Sequence, residues 1–299
     1  MSAIGFRCPN GDTVKFKDCL EGHCDHRCMA LPALNAAEKS THHWFGKFSV
    51  TTLLKPTRMV YLEHLRDYYV DPLGGIAAMI GTNSHKAFED SSPDGWMAEH
   101  RMTDDITSGA FDAYDMKNQV LWDFKFFRSA RIARCLGMKP RWTKKIVTRG
   151  KYKGQERWEQ VWESGGVRDI MDIALQLNYY RYMMENEGLP VKAICVNMFL
   201  RSSVDAEAKK MGLTRPSYIV PINFISLKWV RLYFETKERM LREAIESNTC
   251  PPPCSSTERW NSSKSFPNRR CALWCSVNEQ CDFYQTHWCG NHNKGMDVE

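Results

Sequence analysis

Asp123 and Lys125 stand two residues apart in an otherwise apolar and aromatic run, Val120-Leu-Trp-Asp-Phe-Lys-Phe-Phe127. A spacing of two puts both side chains on one face of a strand. A carboxylate and an ammonium are costly to bury there unless they pair or hold a metal. Asp112 lies in the preceding run of small and aromatic residues, 109–114. It brings a second carboxylate close once the two runs pair as antiparallel strands, with 115–119 as the polar turn. Two carboxylates and a lysine in a strand pair suit Mg²⁺ or Mn²⁺, hard cations that prefer oxygen ligands. The plainer alternative is a partly buried Asp–Lys pair beside an exposed turn aspartate.

Several elements must position these groups. Residues 81–89 read as a helix start with His85 in its first turns. Residues 169–187 read as an amphipathic helix in which Gln176 and Tyr180, four apart, share a face. Taken in order, His85, Asp112, Asp123-Phe124-Lys125 and Gln176-x-x-x-Tyr180 resemble the RecB-like branch of the PD-(D/E)XK nucleases, including its CRISPR-associated and phage iron–sulfur exonucleases. The resemblance covers residues 49–285. It implies an α+β fold, a restriction-endonuclease-like core with a central mixed sheet flanked by helices. It further implies that His85, Asp112, Asp123 and the backbone carbonyl of Phe124 hold Mg²⁺ or Mn²⁺. Lys125 would orient the attacking water or stabilise the charge of the transition state, and Gln176 and Tyr180 would position substrate or lysine. The implied activity is a metal-dependent deoxyribonuclease, an exonuclease on single strands or DNA ends. Its setting would be phage recombination, repair or CRISPR-type processing, with recombination or CRISPR-adaptation proteins as partners. Two rivals remain open: a degenerate nucleic-acid-binding accessory protein, and a nuclease directed at RNA.

The rest of the chain is consistent with one large domain carrying appendages: 1–48, a core over 49–249 with a basic insertion at 128–168, and 250–299. Strands are expected at 96–102, 192–201 and 217–225, and a long amphipathic helix at 226–247, a mixed α+β order. Glu99 is an additional candidate for the site. Ser49 caps a helix that Pro56 breaks before a second begins. At that break many members of the resembling family carry a cluster-binding cysteine, where this chain has Lys55-Pro56-Thr57. Arg58 and Tyr61 read as DNA contacts or ordinary helix residues. The net charge of +6 is mild, but residues 128–153 hold ten Lys or Arg and no Asp or Glu. Trp142 and Tyr152 are interleaved there. Arg141, Lys144 and Lys145 are the expected nucleic-acid contacts, with stacking on the aromatics; the alternative is a solvated insertion. No apolar run approaches a membrane span and no secretory signal is visible, so the expected setting is the cytoplasm of a bacterial or phage-infected cell.

The twelve cysteines are clustered, four in 8–28 and six in 250–289. In a chain without a secretory signal this favours metal ligation over disulfides. Cys8, Cys19, Cys24 and Cys28 could close a tetrahedral zinc site, with His23 and His26 as substitutes. The Cys271-x3-Cys275-x5-Cys281 spacing is similar to the three closely spaced cysteines with which the family's exonucleases bind a [4Fe–4S] cluster. Cys254 or Cys28 would supply the fourth thiolate. Zinc is the alternative there, because spacing alone does not separate the two.

Overall fold

In the structure, a computed structural model, residues 3–22, 24, 27–41, 46–201, 203–261 and 267–288 are described. Strands β1 (Ala3–Arg7) and β2 (Thr13–Lys15) form an antiparallel hairpin. Its turn carries Cys8, whose N–H donates to the Asp12 carbonyl at 2.7 Å, and Gly11 adopts φ 93°. Helices α1 (Phe16–Glu21) and α2 (Leu31–Lys39) follow, and Phe6, Leu34 and Ala37 form a small core with Val14, Phe16 and Cys19. As the sequence suggested, Ser49 caps α3 (Val50–Leu53) by accepting the Thr52 N–H at 3.1 Å, and Pro56 separates it from α4 (Thr57–Leu65). Strand β3 (Tyr68–Val70) runs parallel to β1.

Helix α5 (Pro72–Asp90) begins well before the expected start at residue 81. Gly74 and Gly75 read as a lead-in but are helical. A Cβ at Gly75 would lie 2.8 Å from the Ala37 Cβ, so glycine is what lets α5 touch α2. His85 therefore sits near the end of its helix, not in the first turns.

The strands expected from alternation form one sheet. Strands β4 (Trp96–Thr103), β5 (Ser108–Asp115) and β6 (Val120–Phe127) are followed by α6 (Ser129–Cys135) and the hairpin of β7 (Lys139–Ile146) and β8 (Glu156–Glu163). Then come α7 (Met171–Asn186), β9 (Ala193–Leu200), α8 (Ala206–Lys210) and β10 (Ser217–Ile222). The five-stranded order is β10-β9-β6-β5-β4, with β6 and β9 parallel and the pairs β5–β6 and β9–β10 antiparallel. The fold is α+β, with a mixed central sheet flanked by helices. Asp115 fixes the β5–β6 turn: its Oδ1 accepts the N–H groups of Lys117 and Asn118 at 3.1 and 3.0 Å. In the parallel ladder Leu121, Asp123 and Lys125 pair with Ile194, Val196 and Met198, all three buried. The ionisable pair thus occupies the middle of a buried apolar stripe.

Helix α7 is tethered by Asn178, which is fully buried. Its Nδ2 donates to the carbonyls of Ala174 and Asn223 at 2.9 and 3.1 Å, and its Oδ1 accepts the Ile225 N–H at 2.9 Å. Asn178→Ala takes the partner from the Asn223 carbonyl and the Ile225 N–H, both part-buried hydrogen bonds, and empties a fully buried side-chain position. The expected loss is about 2–4 kcal/mol in urea unfolding. A loss below roughly 1 kcal/mol would mean that water replaces the amide.

The chain ends with α9 (Leu227–Glu246), α10 (Arg269–Leu273), a 3₁₀ turn (Asn278–Gln280) and α11 (Asp282–Trp288). Two compact units result, one of Met1–Asn83, Thr103–Gly109 and Arg231–Glu299, the other of Ser84–Met102 and Ala110–Val230. These do not follow the three sequence segments 1–48, 49–249 and 250–299. Both cysteine-rich ends belong to the first unit, where Arg7 pairs with Glu279 at 2.6 Å. No helix among the described residues is long and apolar enough to cross a membrane.

Candidate functional site

The β5–β6 ladder runs from the Asp115–Val120 pair to the Ala113–Trp122 pair. Just beyond it, Asp112 uses its side chain where a carbonyl would otherwise serve: Oδ2 accepts the Phe124 N–H at 2.6 Å. The other oxygen, Oδ1, lies 3.2 Å from His85 Nδ1. That same nitrogen is 3.3 Å from Glu99 Oε1. His85, Glu99 and Asp112 each offer a ligand atom within 4.8 Å of the others.

Glu99 is the member that alternation alone could not place. Its backbone is left-handed, φ 46°, inside β4. This conformation is uncommon for a non-glycine residue and interrupts the strand's regular alternation. Such strain gathers at functional sites. Burial and the neighbouring Asp112 raise the Glu99 pKa. The hydrogen bond to Asp112 raises that of His85 against the opposing effect of burial.

Asp123 is 1 % exposed. Its Oδ1 accepts from Lys125 Nζ at 2.7 Å, while Oδ2 is buried with no hydrogen-bond partner. Burial first, then Asp112, raises its pKa, with Lys125 pulling the other way. Burial alone would lower the Lys125 pKa, but Asp123 and Asp112 more than offset it and keep the ammonium charged. Phe124, between them, points to the opposite face, where its ring meets Phe88 at 4.6 Å. On α7, Gln176 Nε2 donates to Tyr180 Oη at 3.2 Å, and both are buried. Tyr180 lies in the field of Lys125, Asp123 and Asp112. Burial pushes its pKa up to about 12, so it remains a protonated phenol. The structure thus brings together His85, Asp112, Asp123, Lys125, Gln176 and Tyr180, with the further candidate Glu99 beside His85 and Asp112.

These residues fit a divalent cation. The donors are carboxylates and one imidazole, the set that suits Mg²⁺ and Mn²⁺. Asp123, whose Oδ2 is buried without a hydrogen-bond partner, lies in the field of Asp112 and His85 but outside the cluster of His85, Glu99 and Asp112.

The basic run folds differently from a free positive arm. Arg141, Lys144 and Lys145 face Glu163, Glu156 and Glu159 across the β7–β8 hairpin, at 3.3, 2.7 and 3.0 Å. The acids lie just past the run that the sequence displayed.

In the other unit, Cys254, Cys271, Cys275 and Cys281 line one pocket with Arg58, Met59 and Leu62. Burial pushes the Cys254 and Cys275 thiols up to about 11 and about 12. Arg58, read from sequence as a DNA contact or an ordinary helix residue, is 6 % exposed. Its guanidinium donates to the Pro251 carbonyl and to Asp282, and its Nε is buried with no partner. Among the described residues no three sulfurs lie within 4.8 Å of one another. A single zinc at 2.3 Å from four thiolates would need them roughly 3.8 Å apart. At the N-terminus, Cys8 and Cys19 lie in the electrostatic reach of each other and of Cys24 and Cys28. His23 and His26 fall outside the described residues. Compared with family models, with curated proteins and with solved structures, the chain has no match.

Proposed function

We propose that the chain is a metal-dependent nuclease of the RecB-like PD-(D/E)XK type, hydrolysing phosphodiester bonds of DNA at the His85–Asp112–Asp123–Lys125 site. The observation that carries this reading is the cluster of His85, Glu99 and Asp112 beside the Asp123–Lys125 pair, whose Asp123 keeps one buried oxygen unpartnered. Asp112, Asp123, His85 and Glu99 would hold Mg²⁺ or Mn²⁺. When bound, the cation supplies Lewis acidity toward a phosphoryl oxygen and makes a water more acidic.

The chain's own residues do the rest. The Phe124 N–H locks the Asp112 carboxylate in orientation. Asp123 keeps Lys125 charged and fixed, so its ammonium can meet the developing negative charge without reorganising. Tyr180 stays protonated and is oriented by Gln176, so it serves as a hydrogen-bond donor rather than a nucleophile. The Cys254–Cys271–Cys275–Cys281 pocket would hold a [4Fe–4S] cluster, a staple within the other unit.

Labelled single-stranded DNA, duplex DNA and RNA, incubated with Mn²⁺ with and without chelator, test the activity. Chelator-sensitive loss of the DNA substrates is expected, and none of any substrate would leave the accessory-protein alternative. Lys125→Ala is expected to lose about 100- to 1000-fold in turnover. Its Mn²⁺ affinity by calorimetry should stay near wild type, because an ammonium is not a ligand. A folded Lys125→Ala protein that no longer binds Mn²⁺ would show the lysine's role to be wrong.

A further inference from the structure

The β7–β8 hairpin is a two-stranded sheet of its own, and one of its faces is covered by nothing within the hairpin. Alternation places Trp142, Lys144 and Ile146 on that face, opposite Gln160, Trp158 and Glu156 in register. Trp142 and Trp158 are diagonal neighbours and are 62 % and 59 % exposed. The Lys144 ammonium lies 5.7 Å from the Trp158 ring centre, so cation and ring share the surface.

Charge narrows what could cover this face. Residues 139–163 carry eight Lys or Arg and three Glu, a net of +5. The three glutamates are engaged by Lys139, Arg141, Lys144 and Lys145. Three of these five charges sit at the tip, where Arg149, Lys151 and Lys153 have no ion pair among the described residues and Tyr152 is exposed. An apolar protein face would bury these cations uncompensated. A nucleic-acid duplex would offer phosphates but keep its base faces stacked away from the indoles. A single strand offers both at once.

The base of the hairpin is held firmly. Arg131 and Arg134 engage Asp169, and Arg131 reaches Asp172 at 2.7 Å. The Gly166 N–H donates to the Gly137 carbonyl at 2.8 Å. Through α6 the hairpin follows directly from β6, the strand that carries Asp123 and Lys125.

We propose that the β7–β8 hairpin is a binding platform for single-stranded nucleic acid. Unpaired bases stack on Trp142 and Trp158, and Arg149, Lys151 and Lys153 hold the phosphate backbone. This names the substrate form taken by the proposed hydrolytic site, and in that respect it rests on the nuclease reading.

The test uses the full chain in chelator, so that no strand is cut. Titration with an oligothymidylate should quench tryptophan fluorescence. Trp142→Ala with Trp158→Ala is expected to weaken binding by about tenfold or more per ring, while Trp142→Phe with Trp158→Phe retains most of it. Arg149→Gln, Lys151→Gln and Lys153→Gln together should flatten the slope of log affinity against log salt by roughly two. Hydrolysis of bis(p-nitrophenyl) phosphate with Mn²⁺, a substrate too small to need the hairpin, should be unchanged in the tryptophan variants. Wild-type affinity for the strand in the double alanine variant overturns the platform and leaves the hydrolytic site standing. If that variant instead abolishes self-association seen by light scattering and leaves strand affinity unchanged, the face is a contact between copies and the platform is again overturned. Failure of the small substrate in the wild type, with strand binding behaving as described, sinks the nuclease reading and supports the platform.

Discussion

Asp123→Asn is expected to lower DNA cleavage by about a thousandfold or more. Asparagine is nearly the shape of aspartate, so the stripe of Leu121, Val196 and Met198 around it need not repack. What changes is charge. The amide still accepts a hydrogen bond from Lys125, but the buried anionic oxygen is gone. Breaking a fully buried ion pair costs about 3–5 kcal/mol. The Lys125 side chain is 23 % exposed, so the cost here falls below that range. Stability and metal binding are therefore separable. With Mn²⁺ at a hundred times its dissociation constant, wild type should gain about 2.7 kcal/mol against unfolding. The Asp123→Asn variant should gain little, and Asp112→Asn and Glu99→Gln should each lose part. Single-strand affinity measured in chelator should stay near wild type in all three. A folded Asp123→Asn protein that cuts at the wild-type rate would remove the site.

Most of this site was legible because its signals are local. Asp123 and Lys125 violate the apolar pattern of a strand at a spacing that keeps them together. The short polar turn after Asp115 makes Asp112 their neighbour. Helix α7 and strands β9 and β10 follow from periodicity, and their bounds lie within a few residues of expectation. Glu99 was legible only as a further candidate, because its reach to His85 comes with a left-handed backbone inside β4 that no pattern of residue types announces. The misses have tertiary causes. Residues 74–81 read as a small, apolar lead-in to the His85 helix; at Gly75 close approach to Ala37 outweighs glycine's low helix propensity. Arg58 sits in a run, Thr57 to Leu62, that is buried on every side, so no amphipathic face marked it as internal. The positive run at 128–153 ended one strand too soon. Its balancing glutamates lie at 156, 159 and 163, opposite the cations only once the hairpin closes.

The second large effect concerns the thiols. Anaerobically purified protein, with iron supplied, should be brown and contain about four irons per chain. Cys275→Ser is expected to bleach the visible absorption, and Cys28→Ser to leave it intact. The argument is local. Cys254, Cys271, Cys275 and Cys281 line a single pocket that Cys28 does not join. A single zinc draws its thiolates to roughly 3.8 Å of one another, whereas a cluster interposes its own iron and sulfide atoms between them. Burial raises the Cys254 and Cys275 thiols to about 11 and about 12, so without a metal these two stay protonated at neutral pH. Binding must therefore expel protons and leave several negative charges in a sheltered place. Arg58, a buried guanidinium at the pocket wall that also pairs with Asp282, would offset part of that charge. Arg58→Met should accordingly lower cluster content or shift its reduction potential, with DNA affinity in chelator unchanged. Bleaching by Cys28→Ser with colour kept in Cys254→Ser would place the fourth thiolate at the N-terminal segment. A colourless protein that holds only zinc would dispose of the cluster altogether.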